Sequence, residues 1–297
     1  MRIMIMTDLE GVAGVKDWED WCRPESRNYD TACRFLTNEV NVAVEAFFAE
    51  GASYVQVADG HGPGGIDIEL LDPRVEYARG WPPGGWPFGL DASYDGLAHM
   101  GQHAKASTEY AHLAHTQSFR YIDLRVNGVS IGEFGQMALC AAELGVPEFF
   151  ASGDLAFTRE AEALVPGIVT CAVKRGVTPG AGEECTAEEY GRRNAGAVHT
   201  PPARARELIR TQASRAMRKL REDPPALPPV EGPFERVAVF RPEQAGGPST
   251  IAREEHASSV IELMKLPFNP EVMGREDRVS EGKRQEDRIG KEERSDA

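Results

Sequence analysis

The N-terminal segment carries the patterns of a strand, a helix and a second strand, an order that few folds accommodate. Residues Arg2–Thr7 form a short apolar run, which is typical of a buried strand. From about Arg27 to Glu50, apolar side chains recur at helical spacing, and Gly51 follows where a helix C-cap belongs. Tyr54–Ala58 is a second apolar run. Strands joined through a helix run parallel, so the segment predicts an α/β fold with a parallel-rich sheet.

Similar patterns continue along the chain. Apolar runs predict further strands at residues 75–78, 97–100, 147–151, 168–173 and 236–240. Helical periodicity predicts helices at residues 134–144, 158–164 and 201–220. Asn127-Gly128 lies between two short apolar runs, which is a strong hairpin signal. We therefore predict helices flanking the sheet and a smaller hairpin-containing portion that lies over the strand ends.

The chain divides into three regions by composition. Residues 1–240 contain the α/β pattern, as one unit or as two subdomains, and Arg236–Phe240 is the last clear strand. Residues 241–268 form a divergent C-terminal segment. Residues 269–297 contain no aromatic side chain and are dominated by charges of alternating sign. Such a stretch buries too little apolar area to offset its ordering entropy, so we expect residues 269–297 to be disordered.

Charge and cysteine content exclude several classes of protein. Lys and Arg number 33 against 47 acidic residues, a net charge of −14, which disfavours binding to nucleic acid and suits divalent cations. The five cysteines include no C-x-x-C pair, which is typical of reduced thiols rather than of disulfides or a thiolate zinc site. The N-terminal apolar run is too short for a signal peptide or a membrane span. We expect a cytoplasmic protein with no membrane partner.

Acidic and histidine side chains gather where the predicted strands end. Asp8 and Glu10 follow the first strand, His61 the second, His103 the run at 97–100, and Glu133 the hairpin. The carboxyl ends of parallel strands meet at one crevice, so these side chains can converge there. Two nitrogen and three oxygen ligands exceed what one tetrahedral ion needs but fit two cations that share a carboxylate.

Taken singly, each of these residues also has an ordinary structural interpretation. Asp8 and Glu10 share one face of an extended segment, but acidic residues also fill helix N-caps and solvated turns. A single histidine in a glycine-rich turn, such as His61, is more often an exposed turn residue than a ligand, and the same holds for His103. We expect Asp59 to hold the second ring nitrogen of His61.

The remaining histidines differ by context. His112 and His115 lie three residues apart, on one face if the segment is helical, and either is a candidate acid–base group beside the metals. His99 lies on a strand, where packing is expected. We assign no role to His199 or His256.

Several separated motifs resemble the zinc-dependent D-aminopeptidases of the dipeptide-transport type (DppA-like). Their order and spacing match over about residues 1–240. The matching strings are Thr7-Asp8-Leu9-Glu10-Gly11-Val12, Asp59-Gly60-His61, Gly101-Gln102-His103-Ala104-Lys105-Ala106-Ser107-Thr108, His115-Thr116-Gln117-Ser118, Asn127-Gly128-Val129-Ser130-Ile131-Gly132-Glu133, Ala151-Ser152-Gly153-Asp154 and Ala172-Val173-Lys174.

The resemblance implies a binuclear zinc peptidase with assigned ligands. Asp8 would bridge the two ions, Glu10 and His61 would complete one site, His103 and Glu133 the other, and His115 would be the catalytic histidine. Members of the family cleave N-terminal D-amino acids from short peptides and amides, and assemble as a ten-subunit ring. They usually continue past the equivalent of Phe240 with more strand and helix, whereas here we expect a charged tail.

We therefore predict a metal-dependent aminopeptidase that acts on short, D-amino-acid-containing peptides or amides through a hydroxide shared by two zinc ions. Sites of mixed His and carboxylate ligands also accept Mn or Co. One alternative is a binuclear metallophosphoesterase, but those sites usually begin with Asp-x-His and use an Asn beside a His, which this chain lacks. A second alternative is a non-catalytic metal- or peptide-binding protein.

Overall fold

The computed structural model describes residues 1–81, 85–274 and 276–277. Its strands and helices follow in the order β1 (Arg2–Thr7), α1 (Trp18–Trp21), α2 (Tyr29–Ala49), β2 (Tyr54–Asp59), β3 (Glu76–Ala78), β4 (Gly96–Gln102), β5 (Tyr121–Val126), β6 (Val129–Ser130), α3 (Glu133–Glu143), β7 (Glu148–Asp154), α4 (Leu155–Leu164), β8 (Val169–Gly176), α5 (Ala187–Arg193), β9 (Ala197–His199), α6 (Pro202–Glu222), β10 (Phe234–Phe240), β11 (Thr250–His256), α7 (Val260–Lys265) and β12 (Glu271–Val272).

The larger sheet has seven strands in the order β3-β2-β1-β4-β7-β8-β9. Its neighbours pair in parallel except at the edge, where β9 runs antiparallel to β8. The prediction of an α/β fold with a parallel-rich sheet is confirmed. The β1–β2, β4–β7 and β7–β8 crossovers each include a helix, because parallel strands need a long connection, whereas β2 and β3 are joined by an irregular segment.

Helices cover both faces of this sheet, which explains why β1 is apolar along nearly its whole length. Ile3 and Ile5 pack in the core cluster that also contains residues of α2 and α6. Met4 and Met6 alternate with them and pack in a second cluster with Met137 of α3. Successive side chains of a strand point to opposite faces, so each strand contributes to two cores.

The smaller sheet has five antiparallel strands in the order β12-β11-β10-β5-β6. Asn127 and Gly128 join β5 to β6 with φ of 49° and 80°, as a two-residue hairpin turn with positive φ requires. The predicted hairpin is therefore present. It leads directly into α3, whose first residue is Glu133.

The prediction that Phe240 ends the last strand is wrong. Strand β11 pairs with β10 along its full length, and α7 follows it. Five of the seven residues of β11 are polar or charged, in the sequence Thr-Ile-Ala-Arg-Glu-Glu-His, so its apolar signal is weak. Its buried charge is neutralised, because Arg236 Nε lies 3.2 Å from Glu254 Oε2. A strand with a charged sequence is thus accommodated beside β10.

The expected disorder of residues 269–297 is wrong at the start of the segment, because Glu271 and Val272 form β12 against β11. Residues 275 and 278–297 lie outside the described residues. The proposed limits of the three regions remain a prediction. In the described part of the chain, no helix combines the length and the apolar content needed to cross a bilayer.

Candidate metal centre

The carboxyl ends of β1, β2 and β4 bring the predicted ligands to one edge of the larger sheet. In the strand register, Thr7 is paired with Asp59 on one side and Met100 on the other. The residues that follow these strands, which include Asp8 and His61, consequently emerge side by side. This is where strand ends form ligand sites in open α/β sheets.

Two glycines allow the turn after β1 to pass close to the turn after β4. Gly11 N donates to Gly101 O at 2.7 Å, and Asp8 N donates to Met100 O at 2.8 Å. A Cβ on Gly11 would lie 2.1 Å from Gln102 O, and a Cβ on Gly101, whose φ is +72°, would lie 2.1 Å from Asp8 O. Only glycine fits both positions, so the spacing between the loops is fixed by the backbone.

Asp8 lies at the centre of the cluster, between two histidines. Its Oδ1 is 3.1 Å from His61 Nδ1, and its Oδ2 is 3.1 Å from His103 Nε2. Gln102 Nε2 also donates to Oδ2 at 2.9 Å. Each carboxylate oxygen therefore faces a different imidazole, which is the arrangement that a bridging carboxylate needs.

Glu10 lies on the His61 side of Asp8, and its carboxylate is buried. Glu10 Oε2 is 3.2 Å from His61 Nδ1 but makes no hydrogen bond among the described residues, and neither does His103 Nε2. Buried polar atoms without partners are costly unless something else satisfies them. Oxygen and imidazole atoms in this state fit a bound divalent cation.

Glu133, the first residue of α3, reaches the cluster from just after the β5–β6 hairpin. Its Oε1 is 3.6 Å from His103 Nε2 and 3.8 Å from His115 Nε2, and Gln117 N donates to it at 2.6 Å. Glu133 is the more exposed member of these pairs, with 27% of its side chain accessible. The cluster is thus completed by the element that follows the β5–β6 hairpin.

The second nitrogen of each central histidine is paired with a backbone carbonyl. His61 Nε2 is 2.9 Å from Cys22 O, and His103 Nδ1 is 2.9 Å from Ala104 O. A proton donated to these carbonyls leaves the opposite nitrogen with a lone pair that faces the carboxylates. This is the usual orientation of a metal-binding histidine.

The expectation that Asp59 holds the second nitrogen of His61 is wrong. Its carboxylate accepts hydrogen bonds from Gly65 N at 3.0 Å and from Tyr77 Oη at 2.9 Å. Asp59 therefore closes the glycine-rich turn that carries His61, while Cys22, from the loop after α1, supplies the acceptor.

The cluster stabilises positive charge strongly. Burial disfavours the ionised form of Asp8, but the adjacent His103 and His61 imidazoles outweigh burial and hold the pKa of Asp8 well below its usual value. Burial also disfavours the protonated form of both histidines. Nearby carboxylates nevertheless raise both histidine pKa values well above normal. For His61 these are Glu10 and Asp8, and for His103 they are Glu133 and Asp8. Either a bound proton or a bound metal cation would balance the negative charge of these carboxylates.

His115 lies directly beside the predicted ligands. Its ring stacks on the His103 ring with centroids 3.8 Å apart, and its Nδ1 is 2.8 Å from Leu113 O. Burial and the charge of His103 lower the pKa of His115, so its imidazole is neutral at neutral pH. If Nδ1 carries the proton, Nε2 is a free base that faces Glu133.

His112 lies outside the cluster, so of the two candidate acid–base histidines it is His115 that lies beside the predicted ligands. Its Nε2 is 2.9 Å from Lys16 O, and its Nδ1 is 3.2 Å from Lys174 Nζ. Burial and the charge of Lys174 lower the pKa of His112 to about 2. His112 is a neutral structural residue, and His99 is likewise buried and paired with Glu148 at 3.1 Å.

Sequence reasoning gave no role to two residues that support the ligand loops. Lys174 Nζ donates to Glu10 O at 2.5 Å and to Val15 O at 3.0 Å. Glu160 accepts from Lys105 N at 2.8 Å and from Gly132 N at 3.2 Å, next to the segments that carry His103 and Glu133. In the sequence, Lys174 is identifiable as a charged residue near the end of an apolar strand. Glu160 is not identifiable in this way, because it lies on a helix of ordinary amphipathic sequence.

A cavity of about 390 Å³ opens over the cluster. Its lining includes Asp8, Glu10, His61, His115 and Glu133 together with several large apolar side chains. The volume lies in the range of small-molecule sites. A cluster of buried carboxylates and imidazoles at the floor of such a cavity is suited to hydrolysis of a polarised bond.

Residues 1–250 match the family model described as D-aminopeptidase. A curated D-aminopeptidase of Bacillus subtilis (strain 168) is 30% identical over 180 residues, which are 60% of this chain and 65% of that protein. The aligned part thus spans just under two thirds of the relative's length.

A solved structure has the same fold. The Zn-dependent D-aminopeptidase DppA from Bacillus subtilis, described as a self-compartmentalizing protease, superposes with a TM-score of 0.76 at 23% identity. The match covers 89% of this chain and 94% of that one. At this identity the superposition establishes the fold.

Proposed function

Because the chain belongs to the D-aminopeptidase family, we propose that it is a metal-dependent aminopeptidase that hydrolyses the N-terminal bond of short peptides or amino-acid amides containing D-residues. The family match confirms the resemblance carried by the sequence motifs. The observation that carries the proposal is the convergence of Asp8, Glu10, His61, His103 and Glu133 in one cluster, of which all but His103 line the cavity.

We propose the following ligand set for two zinc ions. Asp8 would be shared by both ions, Glu10 and His61 would complete one site, and His103 and Glu133 would complete the other. The distances of 3.1 Å from Asp8 to both histidines and the unpartnered Glu10 Oε2 and His103 Nε2 support this division. The metal is taken from the solved relative, which is described as Zn-dependent. Bound zinc would polarise the scissile carbonyl and lower the pKa of water.

His115 is proposed to move the proton. Leu113 O fixes Nδ1, so Nε2 accepts a proton from the attacking water and returns it to the leaving amine. Its lowered pKa keeps Nε2 unprotonated at neutral pH. Stacking against His103 and an edge contact from Trp18 hold the ring in place.

The two alternatives are less well supported. A metallophosphoesterase is disfavoured by the family match and by Glu10 at the position where those sites carry a histidine. A binding protein without turnover is disfavoured because His115, a group that a passive metal site does not need, lies 3.8 Å from Glu133.

The test is an assay of the purified protein on D- and L-aminoacyl amides and on aryl phosphates, with metal content measured in parallel. We expect amide hydrolysis that a chelator abolishes and zinc restores. His115→Ala should lower kcat by roughly 10²- to 10⁴-fold and keep the metal, because proton transfer is lost and the ligands are not. His256→Ala, outside the cluster, is the control. Activity unaffected by the chelator, or phosphate hydrolysis alone, would overturn the proposal.

We also propose that the protein assembles with copies of itself in the cytoplasm. The solved relative is described as self-compartmentalizing, which supports a homo-oligomer, and the ten-subunit ring remains a prediction. The free cysteines support a reducing compartment. Light scattering of the purified protein tests the assembly, and a monomer at micromolar concentration would contradict it.

A further inference from the structure

The cavity over the metal ligands has two chemically different walls. One wall consists of the carboxylates and imidazoles at the strand ends. The other consists of large apolar side chains, contributed by β1, α1, the loop before β4, and α3. These side chains are Met6, Trp18, Trp86, Phe88 and Met137.

The apolar wall is part of the packed core. Met6 and Met137 are 6% and 2% exposed and belong to one hydrophobic cluster, against which Trp86 and Phe88 pack. The rings of Trp86 and Phe88 are 4.5 Å apart. These contacts hold the wall in place before any substrate binds, so its apolar surface is available without reorganisation.

The polar groups that border this wall are already paired. Gln117 Nε2 donates to Gln136 Oε1 at 2.9 Å, and Gln117 Oε1 accepts from Tyr121 Oη at 3.2 Å. Gln102 is bonded to Asp8, and His99 to Glu148. A polar substrate side chain would lose its hydration there and gain few new partners, which is costly.

Substrate geometry then decides what the wall contacts. In an aminopeptidase substrate, the side chain of the first residue branches from the carbon between the free amine and the scissile carbonyl. When those two groups lie at the metal ligands, the side chain enters the adjoining part of the cavity. The apolar wall lies next to the proposed metal ligands, because Met6 of the wall directly precedes Thr7 and Asp8 in the chain.

We propose that the apolar wall selects substrates whose N-terminal residue carries a large apolar side chain, of the size of leucine, methionine or phenylalanine. The inference rests on the proposed aminopeptidase function and names its substrate class. A cavity of about 390 Å³ exceeds what the methyl group of alanine fills. Methionine side chains adapt to ligands of different shape, which fits a preference for size and polarity over one exact residue.

The first test compares kcat/KM for alanine, serine, leucine, phenylalanine and lysine amides in both the D and the L series. In the preferred series, leucine and phenylalanine amides should exceed alanine amide by at least about tenfold, because extra buried methylenes favour the transition state. Serine and lysine amides should fall below leucine amide by a similar factor. A preference for alanine or for polar side chains would overturn the inference. Hydrolysis of no amide at all would instead contradict the proposed function.

The second test changes the wall. Met137→Gln keeps the length of the side chain but makes it polar, and it should lower the leucine-to-alanine ratio at least about fivefold. Leu139→Gln is the matched control, because Leu139 lies on the same helix and packs in the other cluster with Leu124. Its ratio should equal that of the wild type. An unchanged ratio in Met137→Gln would contradict the role of the wall.

Phe88→Ala gives an independent check on a loop residue, in case Met137→Gln folds poorly. It should lower the phenylalanine-to-alanine ratio, because the ring that borders the cavity is removed. Zinc content measured for each variant confirms that the metal centre is intact. A Phe88→Ala protein with full zinc and an unchanged ratio would count against the inference.

Discussion

At the scale of single residues, buried charge in this protein is concentrated in positions with defined partners. Asp8 faces two histidines, and Lys174 donates to Glu10 O, Val15 O and His112. Glu39 is different. Its Oε1 accepts from Ala13 N at 3.1 Å, but its Oε2 has no hydrogen bond among the described residues. Such a carboxyl group is more stable protonated.

Glu39 gives a prediction about pH. Burial raises its pKa to about 8 from 4.5, so between these values the folded protein keeps a proton that the unfolded chain has lost. The free energy of unfolding should therefore fall as pH rises from 5 to 8, by a few kcal/mol at most. Urea denaturation of Glu39→Gln should lack this component. Glu45→Gln, exposed on the same helix, should keep the wild-type slope, and equal slopes in both variants would refute the argument.

Glu160 gives a prediction about the second metal site. Both its oxygens accept backbone N–H groups, from Lys105 and Gly132, and a glutamine would turn an N–H towards one of these donors. Glu160→Gln should weaken zinc binding at the His103 and Glu133 site about tenfold or more, as changes behind a metal ligand do. Zinc titration by calorimetry measures this. Glu162→Gln, exposed and bonded to Thr170, is the control; if both variants bind two zinc ions like the wild type, Glu160 has no such role.

At the scale of elements, one buried arginine joins the strands of the smaller sheet to α7 and the segment after it. Arg236 of β10 pairs with Glu254 of β11, donates to Met264 O and Leu266 O at the end of α7, and lies 3.9 Å from the Phe268 ring centroid. One side chain thus connects two strands, a helix and the segment after it.

Removing that arginine should be far more costly than removing an exposed one. Arg236→Met leaves Glu254 buried without its partner and should lower the free energy of unfolding by about 3–5 kcal/mol. Lys265→Met breaks the half-exposed pair with Glu262 and should cost no more than about 1 kcal/mol. Chemical denaturation compares the two. A loss in Arg236→Met no larger than in the control would show that the pair contributes little.

At the scale of the whole molecule, the proposed metal centre joins the two sheets. Asp8, Glu10, His61 and His103 follow strands of the larger sheet, while Glu133 follows the hairpin of the smaller one. A cation held at the proposed centre would contact residues that follow both sheets. We therefore expect metal binding to stabilise the packing of the two sheets rather than one loop alone.

Zinc should accordingly raise the unfolding temperature. At 100 times Kd, a single ion contributes about 2.7 kcal/mol, or roughly 4 °C for a protein of this size. Calorimetry of the chelator-treated protein with and without zinc measures the shift. Asp8→Asn, which removes the bridging charge, should lose most of it, whereas Asp72→Asn on a surface turn should not. A wild-type unfolding temperature unaffected by zinc would contradict the coupling.

The sequence by itself determined the features that depend on local order. The positions of β1, α2 and β2 follow from apolar periodicity, and the hairpin follows from Asn127-Gly128. The proposed ligands were found because parallel strands end at a common edge, which makes their convergence predictable without coordinates.

Only the tertiary structure decided which groups complete these features. Cys22 O, rather than Asp59, orients His61, because a carbonyl in a distant loop has no sequence signal. Glu160 and Lys174 support the ligand loops through backbone contacts of the same kind. Strand β11 was missed because its charges are neutralised by Arg236, a partner that only the packed structure brings near. Periodicity records which face of an element is buried, but pairing between distant polar groups depends on how the elements pack.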